Sequence, residues 1–386
     1  MKVYFKYIVW PLWIGLLCWP FMGLPASLIV ALCLFLAFLL LHFFDGKIGA
    51  LKNIFQRMPG RELAGRVPHK IWLGAALLLA MLLPLVLNKY YLDITITAGI
   101  YIVLALGLNI IVGLAGLLVL GYIAFYAAGA YAYAILSTQY HISFFAALPA
   151  AAILALLFGL ALGVPTLRLR GDYLAIVTLG FGEIARIVLN NWDSFTGGPN
   201  GIMHIPKPSI FGLRLGSPVH LYFIVLVMIL LVSFVIDRLN NSRLGRALIA
   251  MREDETAARA CGINTVKLKL LAFSLSAMVA GMMGVVFAAK MSFVSPESFT
   301  FWESIMVLCM VVLGGMASIP GVILGAAALV VLPEVFRQFQ NYRMLVFGAA
   351  MVAMIIFRPQ GLLPSRRRRM ELEELTLPSS DKSGEG

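Results

Sequence analysis

Residues 71–87 read Ile71-Trp-Leu-Gly-Ala-Ala-Leu-Leu-Leu-Ala-Met-Leu-Leu-Pro-Leu-Val-Leu87, and no charge interrupts them. A second run, residues 24–44, is also free of charge. The hydrocarbon core of a bilayer is about 30 Å thick and takes about 20 residues of helix to cross. Both runs therefore have the length of a membrane span. The whole chain of 386 residues has the same character, with 61% apolar and 12% charged residues. Soluble domains average about 45–50% and about 25%. So much apolar surface exceeds what one aqueous core needs, and lipid must cover the rest. A closed barrel would show short segments of alternating polarity, which are absent from this sequence. The expected fold class is all-α, a polytopic transmembrane helical bundle of about ten to twelve spans.

Apolar segments lie near 8–23, 25–44, 71–88, 94–112, 114–136, 144–163, 173–190, 220–237, 270–290, 303–318, 320–334 and 344–357. Glycines in 114–136 and 303–334 permit broken or re-entrant helices there. The apolar run after Lys2 and Lys6 imitates a signal peptide, but another apolar run follows at once and no small-residue cleavage site stands out. The reading is an uncleaved span. Most Lys and Arg fall in four regions: 45–70, 164–172, 237–269 and the stretch from 358 onward, which includes Arg366 to Arg369. Counting passes from a cytoplasmic N-terminus puts all four on one side, so both termini are expected in the cytoplasm. Domain organisation follows: an N-terminal extension (1–70) with two spans and a basic loop, a core (71–360) containing the cytoplasmic loop 237–269, and a polar tail (361–386) expected to be disordered.

The net charge of +12 does not indicate nucleic acid. Its basic residues sit in loops between apolar runs, without the interleaved aromatics that single-strand binding uses. Cys18, Cys33, Cys261 and Cys309 show neither disulfide nor metal spacing. No Gly-x-x-x-x-Gly-Lys-Ser/Thr phosphate cradle occurs, no His/Cys/carboxylate set has metal spacing, and no nucleophile pairs with a base. No catalytic residue, metal or cofactor is expected.

Polar residues inside apolar runs are expensive and point to function or to packing. Six are candidates for a substrate pathway: Asn109, Tyr122, Tyr126, Thr178, Glu183 and Arg186. Glu183 and Arg186 are spaced i,i+3 and share a helix face, as a path lining or as an internal salt bridge. Asn109 must find a partner in lipid, and Thr178 can bond back to its own helix. Tyr122 and Tyr126 also suit an interfacial belt. Residues 242–262 of the basic loop read as one mixed-charge helix ending at Gly262, a natural C-cap. Arg252, Glu253, Asp254, Glu255, Ala257, Ala258 and Gly262 suit a groove on a soluble partner. A faint internal echo links Gly113-Leu-Ala-Gly116 with Gly314-Gly315-Met-Ala-Ser-Ile-Pro-Gly321, and paired glycine-interrupted segments occur in transporters built from repeats.

Three stretches carry a family resemblance: Leu108-Asn-Ile-Ile-Val-Gly-Leu-Ala-Gly-Leu-Leu-Val-Leu-Gly121, Arg170-Gly-Asp-Tyr-Leu-Ala-Ile-Val-Thr-Leu-Gly-Phe-Gly-Glu-Ile-Ala-Arg186 and Thr196-Gly-Gly-Pro-Asn-Gly-Ile202. They resemble the branched-chain amino acid ABC importer permeases, in particular the larger, LivM-type subunit. The resemblance runs from about residue 71 to about residue 363, and the first two spans look like an extension found in some members. It implies the ABC importer permease architecture in a bacterial inner membrane. It also implies a second permease subunit (a heterodimer), two ATP-binding subunits and a periplasmic substrate-binding protein delivering leucine, isoleucine or valine. Such permeases carry a Glu-Ala-Ala, three residues, then Gly pattern where they meet the ATPase. The matching positions here are Thr256-Ala257-Ala258 and Gly262, with Glu255 one residue early, so the first position departs from the pattern. Competing readings are an ion-coupled secondary transporter of small amino acids or amides, and an intramembrane lipid-linked transferase. Sparse intramembrane carboxylates disfavour the first, and the lack of acidic or histidine clusters disfavours the second.

Overall fold

The computed structural model describes residues 87–335 apart from 170, 211–212 and 215, together with 78, 80–84, 348, 352 and 361–363. By internal contacts the chain divides into Met1–Leu79 and Ala80–Gly386, and the second unit is described here. The passes expected at 8–23 and 25–44, nearly all of 344–357, most of 71–88, and residues 364–386 of the tail lie outside the described residues.

Eleven α-helices follow in order among the described residues: α1 (Lys89–Asn109), α2 (Ile123–Thr138), α3 (Phe144–Thr166), α4 (Asp172–Asn191), α5 (Asp193–Thr196), α6 (Pro218–Asn240), α7 (Arg243–Glu253), α8 (Glu255–Ala260), α9 (Thr265–Met291), α10 (Phe301–Gly314) and α11 (Ile319–Val335). Five helical stretches are long and apolar enough to cross a membrane: Lys89–Leu114, Phe144–Thr166, Pro218–Asn240, Thr265–Met291 and Pro296–Gly314. Helices α2 and α11 are apolar but shorter. The architecture is all-helical, with four two-residue strands as the exception. Strand β1 (Ile202–Met203) pairs antiparallel with β4 (Phe293–Val294), and β2 (Ser209–Ile210) with β3 (Leu213–Arg214).

Helices α1 and α9 form the centre. In the most apolar window of α1, 78% of residues are buried, and in that of α9 67%, against 28% for α6. The outer helices turn Ile153, Leu157, Val227 and Phe234 outward, as a lipid-facing surface requires. Without a hydrophobic drive between helices in lipid, close packing needs small residues, and α9 supplies them. It packs against α1, α2 and α3. A Cβ on Gly284 would lie 2.3 Å from the Tyr126 carbonyl oxygen of α2. Gly159, in the Gly-x-x-x-Gly pair of α3, approaches the Phe273 carbonyl of α9 in the same way, at 2.8 Å.

Two expectations are corrected. The apolar run 114–136 is not one span. Helix α1 ends in a π turn over Ile110–Leu114, residues 115–122 are non-helical, and α2 starts only at Ile123. Gly116 stands at φ +69°, a left-handed conformation that ends a helix. The run 303–318 likewise stops at Gly314, followed by Gly315 at φ +113° and Ala317 at φ +63°.

The contact between α2 and α9 gives a direct test. Gly284→Val drives a side chain into backbone and should lower the thermal unfolding midpoint in detergent sharply, a cost of at least the ~1–3 kcal/mol of ordinary overpacking. Gly180→Ala on α4, where an added Cβ meets nothing within 4 Å, should leave the midpoint nearly unchanged.

Candidate functional site

A broken helix frees backbone groups that lipid cannot satisfy. The break at 115–122 and its flanks meet this demand with side chains from three other helices, and a fourth side chain ties the break to the second one. Thr178 of α4 is fully buried; its Oγ1 accepts from the Leu120 N–H at 3.0 Å and donates to the Ala175 carbonyl at 3.0 Å. Ser304 of α10, also fully buried, accepts from the Ile123 N–H at 3.1 Å. Arg252 of α7 donates from Nη1 to the Gly113 carbonyl at 2.7 Å. Asn109, 1% exposed, accepts at Oδ1 from the Ala317 N–H at 2.8 Å. That last bond joins the first break to the second. The two glycine-interrupted segments that echo one another in sequence therefore touch. Gly113 is required between them, because a Cβ there would lie 2.1 Å from Asn109 Oδ1 and 2.7 Å from the Ala317 nitrogen. The second break also receives residues 361–363, whose Leu362 and Leu363 N–H groups donate to the carbonyls of Leu313 and Gly314.

The six pathway candidates separate into two sets. Asn109, Tyr122, Tyr126 and Thr178 are at most 6% exposed, and they pack inside the chain. Tyr122 lies with its hydroxyl 3.5 Å from the Ser276 carbonyl, while Ser276 itself donates to the Gly107 carbonyl at 2.7 Å. Tyr126 packs against Phe287 and Phe299. The interfacial belt expected for these tyrosines is corrected: they fill the core beneath the break, where glycine and alanine leave room for rings. Glu183 and Arg186 form the second set. They pair on α4, with Arg186 Nε donating to Glu183 Oε1 at 3.0 Å, and Arg186 also reaches Glu297 at 3.5 Å. Both side chains are half-buried. A pair that is solvated on one flank and apolar on the other can line a wet path.

The basic connection between α6 and α9 is two helices, not the single one expected from 242–262. Asp254 separates them at φ −152° and caps α8, its carboxylate accepting from the N–H groups of Thr256 (2.7 Å) and Ala257 (3.0 Å). Such a cap contributes about 1 kcal/mol. Helix α8 ends with Gly262 at φ +81°, and the Ile263 N–H returns to the Ala258 carbonyl, closing the turn that glycine favours. Of the seven loop candidates, Glu253, Asp254, Ala257 and Gly262 are exposed. Ala258 is buried, and Arg252 and Glu255 are half-buried with partners inside the chain. Arg252 reaches Gly113, and Ala258 is 5% exposed. Glu255 binds Arg259 at 2.6 Å and the buried Lys269 at 3.0 Å. Lys269 in turn lies 3.5 Å from the Leu167 carbonyl at the end of α3.

Sequence reading missed Ser276, Ser304 and Lys269. Each is a polar residue in or beside an apolar run, and that signal was available. Their partners were not, because each bond spans more than a hundred residues except for the Lys269–Glu255 pair. Among the described residues no group of acids, histidines and cysteines could hold a metal ion.

Residues 90–355 match the family model described as branched-chain amino acid transport system, permease component. The chain is 49% identical over 330 residues to the high-affinity branched-chain amino acid transport system permease protein LivM of Escherichia coli strain K12, covering 80% of this chain and 78% of that relative. It is 48% identical to the LivM protein of Salmonella typhimurium strain LT2 over the same shares. A more distant relative is the autoinducer 2 import system permease protein LsrC of Escherichia coli O9:H4 strain HS, 27% identical over 46% of this chain and 53% of the relative. No solved structure matches the chain.

Thr178 tests whether satisfying the break matters. Thr178→Val keeps the shape but leaves the Leu120 N–H without its acceptor, at a cost of about 1–3 kcal/mol. Its unfolding midpoint should fall, and Thr178→Ser, which restores the oxygen, should recover most of the loss.

Proposed function

Because the chain belongs to the family of branched-chain amino acid transport system permease components, we propose that it forms one half of a membrane pathway for leucine, isoleucine and valine. It is a multi-pass membrane permease of a bacterial ABC transporter and not itself an enzyme. The other half of the pathway is a second, different permease. Two ATPase subunits supply energy from the cytoplasm, and a periplasmic binding protein delivers the solute. The chain crosses the inner membrane ten to twelve times with both ends inside. Residues 1–70 are an extension with two spans, 71–360 form the core, and the tail from 361 lies in the cytoplasm. In that orientation the basic loop, both chain breaks and residues 361–363 share the cytoplasmic side.

The observation that carries the proposal is the α7–α8 element. It is polar, and it offers Glu253, Asp254, Ala257 and Gly262 outward. Its inner face is bound to three spans: through Arg252 to the end of α1, and through Glu255 and Lys269 to α9 and the end of α3. An element with an exposed polar outer face and a fastened inner face suits a docking point for an ATPase. Closure of the ATPases on ATP moves α7–α8, and the spans tied to it change the access of the pathway. Glu183 and Arg186, with Glu297 near by, line that pathway beside the second permease. Direction comes from a difference in solute affinity between the two states, since only a differential interaction shifts an equilibrium.

Purification of the tagged chain from its native host should recover a second permease and two ATPases, and vesicles bearing the complex should import leucine only with ATP inside. Uptake that survives ATP depletion but collapses with the proton gradient would support the ion-coupled alternative instead. Ala257→Trp should then weaken ATPase co-purification and uptake together, while the chain still inserts and folds. Ala258→Trp, aimed at a buried position, should fail earlier, at folding.

A further inference from the structure

The guanidinium of Arg252 makes two contacts of opposite kind. Nη1 donates to the Gly113 carbonyl at 2.7 Å, and Nη2 lies 3.3 Å from the Glu253 carboxylate, whose side chain is 66% exposed. One rigid plane therefore spans from the outer face of the α7–α8 element to the buried end of the π turn. The seat is built to receive it. Gly113 closes that turn, where unsatisfied carbonyls carry the negative end of the helix dipole and attract a cation. Gly116, three residues on, stands at φ +69°, and a Cβ there would lie 2.3 Å from Arg252 Cγ. The aliphatic stem of Arg252 thus fills the space left by an absent side chain. Beyond the seat, Asn109 fastens the same turn to Ala317 of the second break at 2.8 Å.

We infer that Arg252 is a positioning residue for transport: it carries displacement of the α7–α8 element into the two joined chain breaks. This rests on the docking role proposed above. Lys269 and Glu255 hold the element to the first turns of α9 and to Leu167, in the turn that follows α3. Arg252 ends on the π turn at the edge of the first break, where backbone dihedrals can change without opening an α-helical ladder. A partner that pulls on Glu253 shifts the Arg252 fork, and with it the Gly113 carbonyl, the π turn and, through Asn109, residue 317. The two breaks then move together. An arginine is suited to this task because its planar fork fixes direction as well as distance, which a lysine ammonium does not.

The test uses the complete transporter in vesicles and reads ATP hydrolysed per leucine imported, normalised to assembled complex. The unaltered complex comes first: if it shows no ATP-dependent leucine uptake, the functional reading fails regardless of Arg252. Given that uptake, Arg252→Ala and Arg252→Lys should both assemble, and the ratio should rise on the order of tenfold for Ala, as expected for loss of one charge-assisted bond, with Lys between. Gly116→Ala, which unseats the Arg252 stem, should raise the ratio as well. Combined with Arg252→Ala it should add little, because the stem it obstructs is gone; contacts that share one partner are non-additive in this way. A ratio equal to that of the unaltered complex in Arg252→Ala would overturn the inference. So would full additivity in the double variant, or loss of assembly in both Arg252 variants, since a residue needed only to transmit movement is dispensable for assembly.

Discussion

In lipid a backbone amide that leaves a helix must find a partner in the protein, and this constraint organises the structure. Two interruptions, at 115–122 and at 315–318, release peptide groups where apolar helices end. Thr178, Ser304, Arg252 and Asn109 are where they are because those groups need them. Four elements distant in sequence are thereby drawn to one place. The interruptions are sites of assembly as much as of weakness: each bond that satisfies a freed amide also fixes a neighbouring helix.

Much of the fold was legible because its signals are local. Apolar runs of span length became α1, α3, α6 and α9, with boundaries displaced by only a few residues. Glycine-rich runs marked the two regions where helices break. The exact break at 115–122 was less legible, since residues 117–120 read Leu-Leu-Val-Leu, which is as apolar as any helix interior. What stops the helix is the backbone at Gly116 and the approach of α4 to Gly121, where a Cβ would lie 1.9 Å from the Thr178 carbonyl oxygen. That approach is tertiary and leaves no local mark.

The site was legible in residue type and not in orientation. Asn109 and Thr178 were visible as polar residues needing partners, but partner identity depends on contacts across 208 and 58 residues. Helix periodicity could not say which of Arg252, Glu255 and Ala258 face inward, because Asp254 interrupts the helix and resets the phase of every residue after it. Glu255 is engaged by Arg259 and Lys269 within the chain, contacts that helix periodicity alone does not reveal.

Helix α9 carries a consequence for how the protein is made. It is apolar on nearly every face and yet ends enclosed by α1, α2 and α3. Such a segment partitions from the insertion machinery into lipid on its own composition, and protein neighbours replace lipid around it afterwards. Helix α4 is the opposite case. With Asp172, Glu183 and Arg186 in its length it is not among the five strongly apolar helices, and its ion pair must form for the segment to tolerate a bilayer. Biogenesis therefore has an order written into it. The centre of the bundle can be laid down autonomously, while α4, which props the first break through Thr178, is retained by the neighbours that receive it.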